Sequence, residues 1–170
     1  NLDESIYRPG SVIGKAGIKV EIVSAGGTGT YNISGNKEGI TEIQAGSYVT
    51  MDLRYKKIVP EFKHALSILT TVISRPEKQV AVVDAGMKAI TKEFGLPEVK
   101  GRSDLQMTSL SEEHGKLVLG EDNNHLVAGD VIELLPGHGC TTFNLHDKVY
   151  GIRKDYLEMT WDLQARGGFH

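Results

Sequence analysis

Residues 18–24 (IKVEIVS) alternate apolar and polar positions as a half-buried strand does, and they run straight into Ala25-Gly26-Gly27-Thr28-Gly29-Thr30-Tyr31. The pattern predicts a strand entering a glycine-rich loop. Between Ile40 and Leu53 it predicts two short extended pieces broken at Ala45-Gly46. Tyr48, Thr50 and Asp52 then fall two apart on one face, where they could address one site. Ala65 to Ser74 is long enough for a helix, but its load of Thr, Val and Ile favours a strand, closed by Pro76. Gln79 to Asp84, ending at Ala85-Gly86, reads as its antiparallel partner. Met87 to Phe94 is a short helix or a further strand, ended by Gly95 and Pro97. From Gln106 onward the pattern is short β pieces: Gln106–Ser111, Lys116–Leu119, Asp130–Leu135, Lys148–Arg153 and Tyr156–Leu163. Turn chemistry stands at Glu121-Asp122-Asn123-Asn124 and Gly129-Asp130. The expected fold is mostly β, with a glycine-rich part over residues 1–54 and a β domain over residues 55–170.

Composition narrows the functional classes. Hydrophobic content of 39% with 24% charged residues is that of an ordinary globular chain, and the longest apolar runs are too short to cross a bilayer. The 19 basic and 22 acidic residues give a net charge of -3 without a Lys/Arg cluster, which argues against a nucleic-acid surface. A single cysteine excludes an internal disulfide framework and suits a reducing compartment, so a cytoplasmic location is expected. The start at Asn1, without a basic-then-apolar signal segment, is read as an internal point of a longer polypeptide.

Three segments carry candidate chemistry. In Gly26-Gly27-Thr28-Gly29-Thr30, glycines let backbone N–H groups converge on an anion and threonine hydroxyls add donors, so the loop could cradle a phosphate. It lacks the Lys of a P-loop and full G-x-G-x-x-G spacing, and the same letters also make an ordinary tight turn. In Pro136-Gly137-His138-Gly139-Cys140, an extended backbone would point His138 and Cys140 to one side, where imidazole and thiolate suit Zn²⁺ best among common divalent ions. Two ligands leave open positions, as a catalytic metal requires; the bland alternative is a surface His beside a buried Cys. Ser111-Glu112-Glu113-His114-Gly115 gathers two carboxylates and an imidazole at what also reads as a solvated hairpin. His64 and His125 have no polar constellation around them. His146 is a candidate for orienting the metal site from behind.

Taken in order, the loop at residues 26–30, Ala65 to Pro76, Asp84-Ala85-Gly86, Ser111 to Gly115 and Pro136 to Asp147 resemble the carboxy-terminal part of the metal-activated pyridoxal-phosphate lyases. That family includes D-threonine aldolases, eukaryotic-type D-serine dehydratases and D-3-hydroxyaspartate enzymes. The resemblance runs from about residue 18 to the end, and PGHGCTTFNLHD at 136–147 is its most specific part. It implies an alanine-racemase-like architecture: the last part of a pyridoxal-phosphate-binding (β/α)₈ barrel in residues 1–54, then the β domain, in a homodimer. Positions matching Gly27, Thr28, Gly29 and Thr30 would hold the cofactor phosphate. Those matching His138 and Cys140 would hold Zn²⁺ or Mn²⁺, and Tyr48 would approach the cofactor. The family's Schiff-base lysine lies near the start of its barrel, and no lysine here stands in the matching context. The catalytic lysine is therefore expected outside this chain, and the fragment alone is expected to be inactive.

The function so implied is lyase action on a small D-3-hydroxy amino acid, by C–O cleavage as in D-serine dehydratase or C–C cleavage as in D-threonine aldolase. Cys at the second ligand position looks more like the dehydratases. The rival from another class is a non-catalytic β-rich interaction or structural domain derived from that family. Neither a nucleic-acid nor a membrane partner is expected.

Overall fold

The computed structural model describes residues 9–120 and 125–168. The chain forms two compact units, divided between Val49 and Thr50. The first holds helix α1 (Pro9–Lys15), a 3-10 turn over Thr28–Thr30 that continues into α2 (Tyr31–Ser34), and a second 3-10 turn over Ser47–Val49. Residues 18–23 form no named strand, against the expectation from their alternation. A ladder needs a partner, and here pairing is confined to a parallel bridge, Ser24 with Glu42, flanked by Ala25 N–H to the Glu42 carbonyl and Thr41 N–H to the Val23 carbonyl. Ile18, Val20 and Ile22 are consequently exposed.

The second unit contains α3 (Leu53–Lys56), β1 (Ile68–Glu77), β2 (Val80–Val83), β3 (Glu98–Val99), β4 (Leu105–Leu110), β5 (Gly115–Leu119), β6 (Val131–Leu135), α4 (Gly139–Phe143), β7 (Lys148–Arg153) and β8 (Tyr156–Asp162). Six strands form one antiparallel sheet in the order β3-β6-β1-β2-β5-β4. Its two edge strands, β3 and β4, lie against each other, so the sheet curls nearly closed. The alternation that predicted strands is the alternation of burial: Gly115, Leu117 and Leu119 point inward on β5 while Lys116 and Val118 face out. Val72, Ala81, Val83, Ile90, Leu117 and Leu134 form the fully buried centre of the core. Fully burying a side chain of this size contributes about 1.5–3 kcal/mol, and this cluster holds the unit together.

Several expectations change. Pro76 does not end β1, which continues to Glu77; the register slips between Ser74 and Glu77, and an irregular register is where a strand tolerates a residue without an N–H. Met87 to Phe94 is neither helix nor strand but a run of turns, anchored by Met87 N–H to the Ser111 carbonyl and Lys88 N–H to the Glu112 carbonyl. The β-rich half also contains α4, although Cys-Thr-Thr-Phe carries little helix propensity. The turn expected at Glu121–Asn124 lies outside the described residues. Among those described, no helix is long and apolar enough to cross a membrane.

Candidate functional site

The segment 136–140 is an N-cap and a first helical turn rather than an extended strip. His138 is extended (φ −139, ψ 129) and caps α4, whose helix begins at Gly139 and already includes Cys140. The premise that an extended backbone turns both side chains to one side therefore fails, because only one of the three residues is extended. His138 is largely covered, its side chain 14% exposed, while the Cys140 thiol is exposed.

What fixes His138 is a residue from the far side of the chain. Asp52, 1% exposed, places Oδ2 3.0 Å from His138 Nδ1 and 3.0 Å from the Gly139 amide, which donates to it. Its other oxygen, Oδ1, accepts from the Tyr55 amide at 2.8 Å, so the same carboxylate caps α3. The first two amides of α3, Leu53 and Arg54, donate to the Pro136 and Gly137 carbonyls. The orphan donors at the start of one short helix are thus met by the backbone that leads into the other. Gly137 is required there: a Cβ would lie 2.6 Å from the Gly95 carbonyl oxygen and 2.7 Å from that of Glu93. Thr142, 1% exposed, donates its hydroxyl to the His138 carbonyl at 2.8 Å. The Phe94 ring meets the imidazole edge-on at 4.9 Å between centroids, and Tyr55 stands at 6.5 Å.

Asp52 enters this site by a route unlike its expected one. A two-residue period does not run from Tyr48 to Asp52, because Ser47–Val49 is a 3-10 turn and buried Met51 is held at positive φ (55°). No local signal pairs Asp52 with His138, 86 residues away; the N-cap pattern Asp52-Leu-Arg-Tyr55 is the only hint of a structural role. His146 does not orient His138: its Nε2 bonds the Ala89 carbonyl at 2.7 Å. His64, around which the sequence showed no polar constellation, has a buried Nε2 without a hydrogen-bond partner among the described residues. Among the described residues, no group of three or more His, Cys, Asp or Glu converges as a ready metal cage.

The glycine-rich loop is a bridge-turn-helix unit in the first unit. Gly26 takes positive φ (77°) and Gly27 is extended, which opens the 3-10 turn at Thr28. Thr28 is buried and its hydroxyl accepts from the Tyr48 amide at 3.1 Å; Thr30 Oγ1 accepts from the Gly27 amide at 3.2 Å and from the Ser34 hydroxyl at 3.4 Å. Both threonine hydroxyls thus stabilise the loop itself. Elsewhere, Ser111–Gly115 is the β4–β5 hairpin turn: Lys88 pairs with exposed Glu113 at 2.7 Å, and the Lys88 ammonium holds that carboxyl below its ordinary range. Gly86 lets the hairpin close on the Asp84-Ala85-Gly86 segment, since a Cβ there would sit 2.4 Å from the His114 amide nitrogen.

The family profile described as "Putative serine dehydratase domain" matches residues 65–152, just over half of the chain and most of the second unit. The chain belongs to this family. Among curated members, the 3-hydroxy-D-aspartate aldolase of Paracoccus denitrificans is 40% identical over 163 residues, covering 91% of this chain and 42% of that protein. Of solved structures, the D-threonine aldolase of Filomicrobium marinum superposes with a TM-score of 0.88 at 32% identity, over 94% of this chain and 45% of that one. The D-threo-3-hydroxyaspartate dehydratase of Delftia sp. HT23 does so with a TM-score of 0.80 at 27% identity, over 92% of this chain and 47% of that one. Solved variants of a D-threo-3-hydroxyaspartate dehydratase replace a histidine and a cysteine two positions apart with alanine, the cysteine variant in a metal-free form. Their shared architecture is alanine-racemase-like, and this chain corresponds to the carboxy-terminal part of it. It spans less than half the length of these serine dehydratase-like relatives.

Proposed function

We propose that this chain is the carboxy-terminal part of a metal-assisted, pyridoxal-phosphate-dependent lyase acting on small D-3-hydroxy amino acids. The observation that carries the reading is the seating of His138: a buried carboxylate takes Nδ1 and leaves Nε2 to a ligand, the arrangement by which proteins present histidine to a divalent ion. The exposed Cys140 thiol, two residues on, adds a soft donor, and His plus Cys with open positions suits Zn²⁺, with Mn²⁺ the second choice. The His and Cys variants of a D-threo-3-hydroxyaspartate dehydratase, the Cys variant solved in a metal-free form, support the same donor pair. In the first unit, Gly27, Thr28, Gly29 and Thr30 would hold the cofactor phosphate, chiefly on the Thr28 and Gly29 amides that open the 3-10 turn, since the Gly27 and Thr30 amides are engaged within the loop. When bound, the cofactor ring would accept electrons released at the substrate's Cα and the ion would act as a Lewis acid toward its β-hydroxyl.

This chain's own residues supply position. Asp52 holds a proton against His138 Nδ1, the 52–55 and 136–139 backbones hold each other, and Phe94 covers one edge of the imidazole against water. Cleavage of the Cα–Cβ bond, yielding glycine and an aldehyde, is the reaction favoured by the 40% identity to an aldolase. Elimination of the hydroxyl, yielding a keto acid and ammonia, is the second reading, favoured by the cysteine at residue 140. The Schiff-base lysine and the partner subunit of a homodimer would come from outside this chain. In the full-length protein that contains this chain, with D-threo- and D-erythro-3-hydroxyaspartate, D-threonine and D-serine as substrates and Zn²⁺ or Mn²⁺ added, glycine with glyoxylate or acetaldehyde marks the aldolase, and oxaloacetate or pyruvate with ammonia the dehydratase. Cys140→Ala and His138→Ala should each lower activity at least a hundredfold; full activity in both, unaffected by chelator, would sink the metal reading.

A further inference from the structure

We infer that Asp52 is the positioning residue of this site: it holds the His138 proton on Nδ1, so that Nε2 is presented as a bare lone pair. The inference rests on the metal reading only for what Nε2 meets; the tautomer itself follows from the hydrogen bonds. The three partners of Asp52 are the Tyr55 amide on Oδ1 at 2.8 Å, and the Gly139 amide and His138 Nδ1 on Oδ2, each at 3.0 Å. Two of these are backbone N–H groups, which can only donate. A carboxylate so engaged has acceptor capacity and no proton to give, so the third partner has to donate as well. Neutral imidazole carries one N–H, and once it stands on Nδ1 the other nitrogen is bare.

Asp52 is itself held in place from both sides. It caps α3, the following amides of Leu53 and Arg54 are bonded to Pro136 and Gly137, and it is 1% exposed, so no water competes for its oxygens. The residue that bears the imidazole is held in turn: Thr142 bonds the His138 backbone carbonyl, and the Phe94 ring meets the imidazole edge-on. Neither side can rotate away without breaking several contacts. Carboxylate partners of metal-binding histidines commonly alter metal affinity 10–100-fold on removal.

Asp52→Asn in the full chain tests this, because asparagine keeps the shape but has one acceptor atom for three donors. In the metal-free wild-type chain, ring ¹⁵N shifts of the neutral imidazole should report Nδ1–H with Nε2 unprotonated. In Asp52→Asn the two tautomers should mix, whereas Cys140→Ala should leave the wild-type tautomer intact. With Zn²⁺ alone, competed against a chromogenic chelator, Asp52→Asn should bind about 10–100-fold more weakly than wild type. An Nε2–H tautomer in the wild type overturns the inference, and so does equal Zn²⁺ affinity in a folded Asp52→Asn chain. If Asp52→Asn does not fold, the wild-type tautomer alone decides. A wild-type chain with the expected tautomer but no Zn²⁺ binding would retire the metal reading while leaving the role of Asp52 in place.

Discussion

Two glycine-rich turns of this chain lead into short helices, and they are held by opposite means. At Gly26–Thr30 the contacts are largely local and made by hydroxyls: Gly27 with Thr30, Thr30 with Ser34, and one longer reach from Thr28 to Tyr48. At Pro136–Cys140 they come from the remote segment 52–55 and are made by backbone groups and a buried carboxylate. Hydroxyls rotate and can re-form their bonds; backbone groups inside a core cannot. The first turn can therefore rearrange at little cost, whereas the second delivers His138 in a single orientation.

The largest expected effect breaks the rigid side of this contrast. In Gly137→Ala the new Cβ meets two carbonyl oxygens, at 2.6 and 2.7 Å, so the second unit should lose about 3 kcal/mol in urea unfolding. A loss below about 1 kcal/mol would mean that this turn yields as readily as the other. Gly26→Ala probes the adaptable side. Its Cβ would meet the rotatable Ser34 and Thr30 hydroxyls at 2.4 and 2.7 Å and the fixed Ser34 Cβ at 2.9 Å, and the positive φ of 77° adds strain, for a local cost of about 1–3 kcal/mol. Faster amide exchange confined to residues 26–35 would register it.

Asp84 is the exposed counterpart of Asp52 and gives a pH-dependent prediction. The Thr70 hydroxyl at 2.6 Å, with the Thr71 amide at 2.8 Å, holds the Asp84 carboxyl below its ordinary value of 3.8. A depressed carboxyl stabilises the fold above its unfolded value and loses that contribution as pH falls through the folded one. The stability gap between wild type and Thr70→Val should thus be constant near neutrality and narrow below about pH 4, as acid titration of thermal unfolding will read. A gap that widened in acid would reverse the sign of this account. The smallest effect belongs to Gly139→Ala. Its Cβ would meet Thr50, Leu66 and Asp52 at 3.7 to 3.9 Å, ordinary contact, while the amide bonded to Asp52 remains. Stability should move by no more than about 0.5–1 kcal/mol, with helix propensity favouring Ala, and the His138 tautomer should not change.

The strands were legible where one face of an antiparallel pair is buried, because burial then repeats every two residues, as in Gly115–Leu119. The same alternation misled at residues 18–23, where no extended ladder satisfies the backbone. Helix α4 was not legible: five residues of modest propensity become helical because their first amide is received by Asp52. The segment bearing His138 and Cys140 stood out by its glycines and donor types, but its backbone state did not.

The sequence by itself determined the elements whose information is local: alternating strands, glycine turns, and the donor types at residues 138 and 140. The tertiary structure alone decided that Asp52 would stand behind His138, that the proton would lie on Nδ1, and that Cys140 would lie in the first turn of a helix. The reason is physical: periodicity and propensity act over a few residues, whereas a hydrogen bond between partners 86 positions apart exists only after the chain has closed on itself.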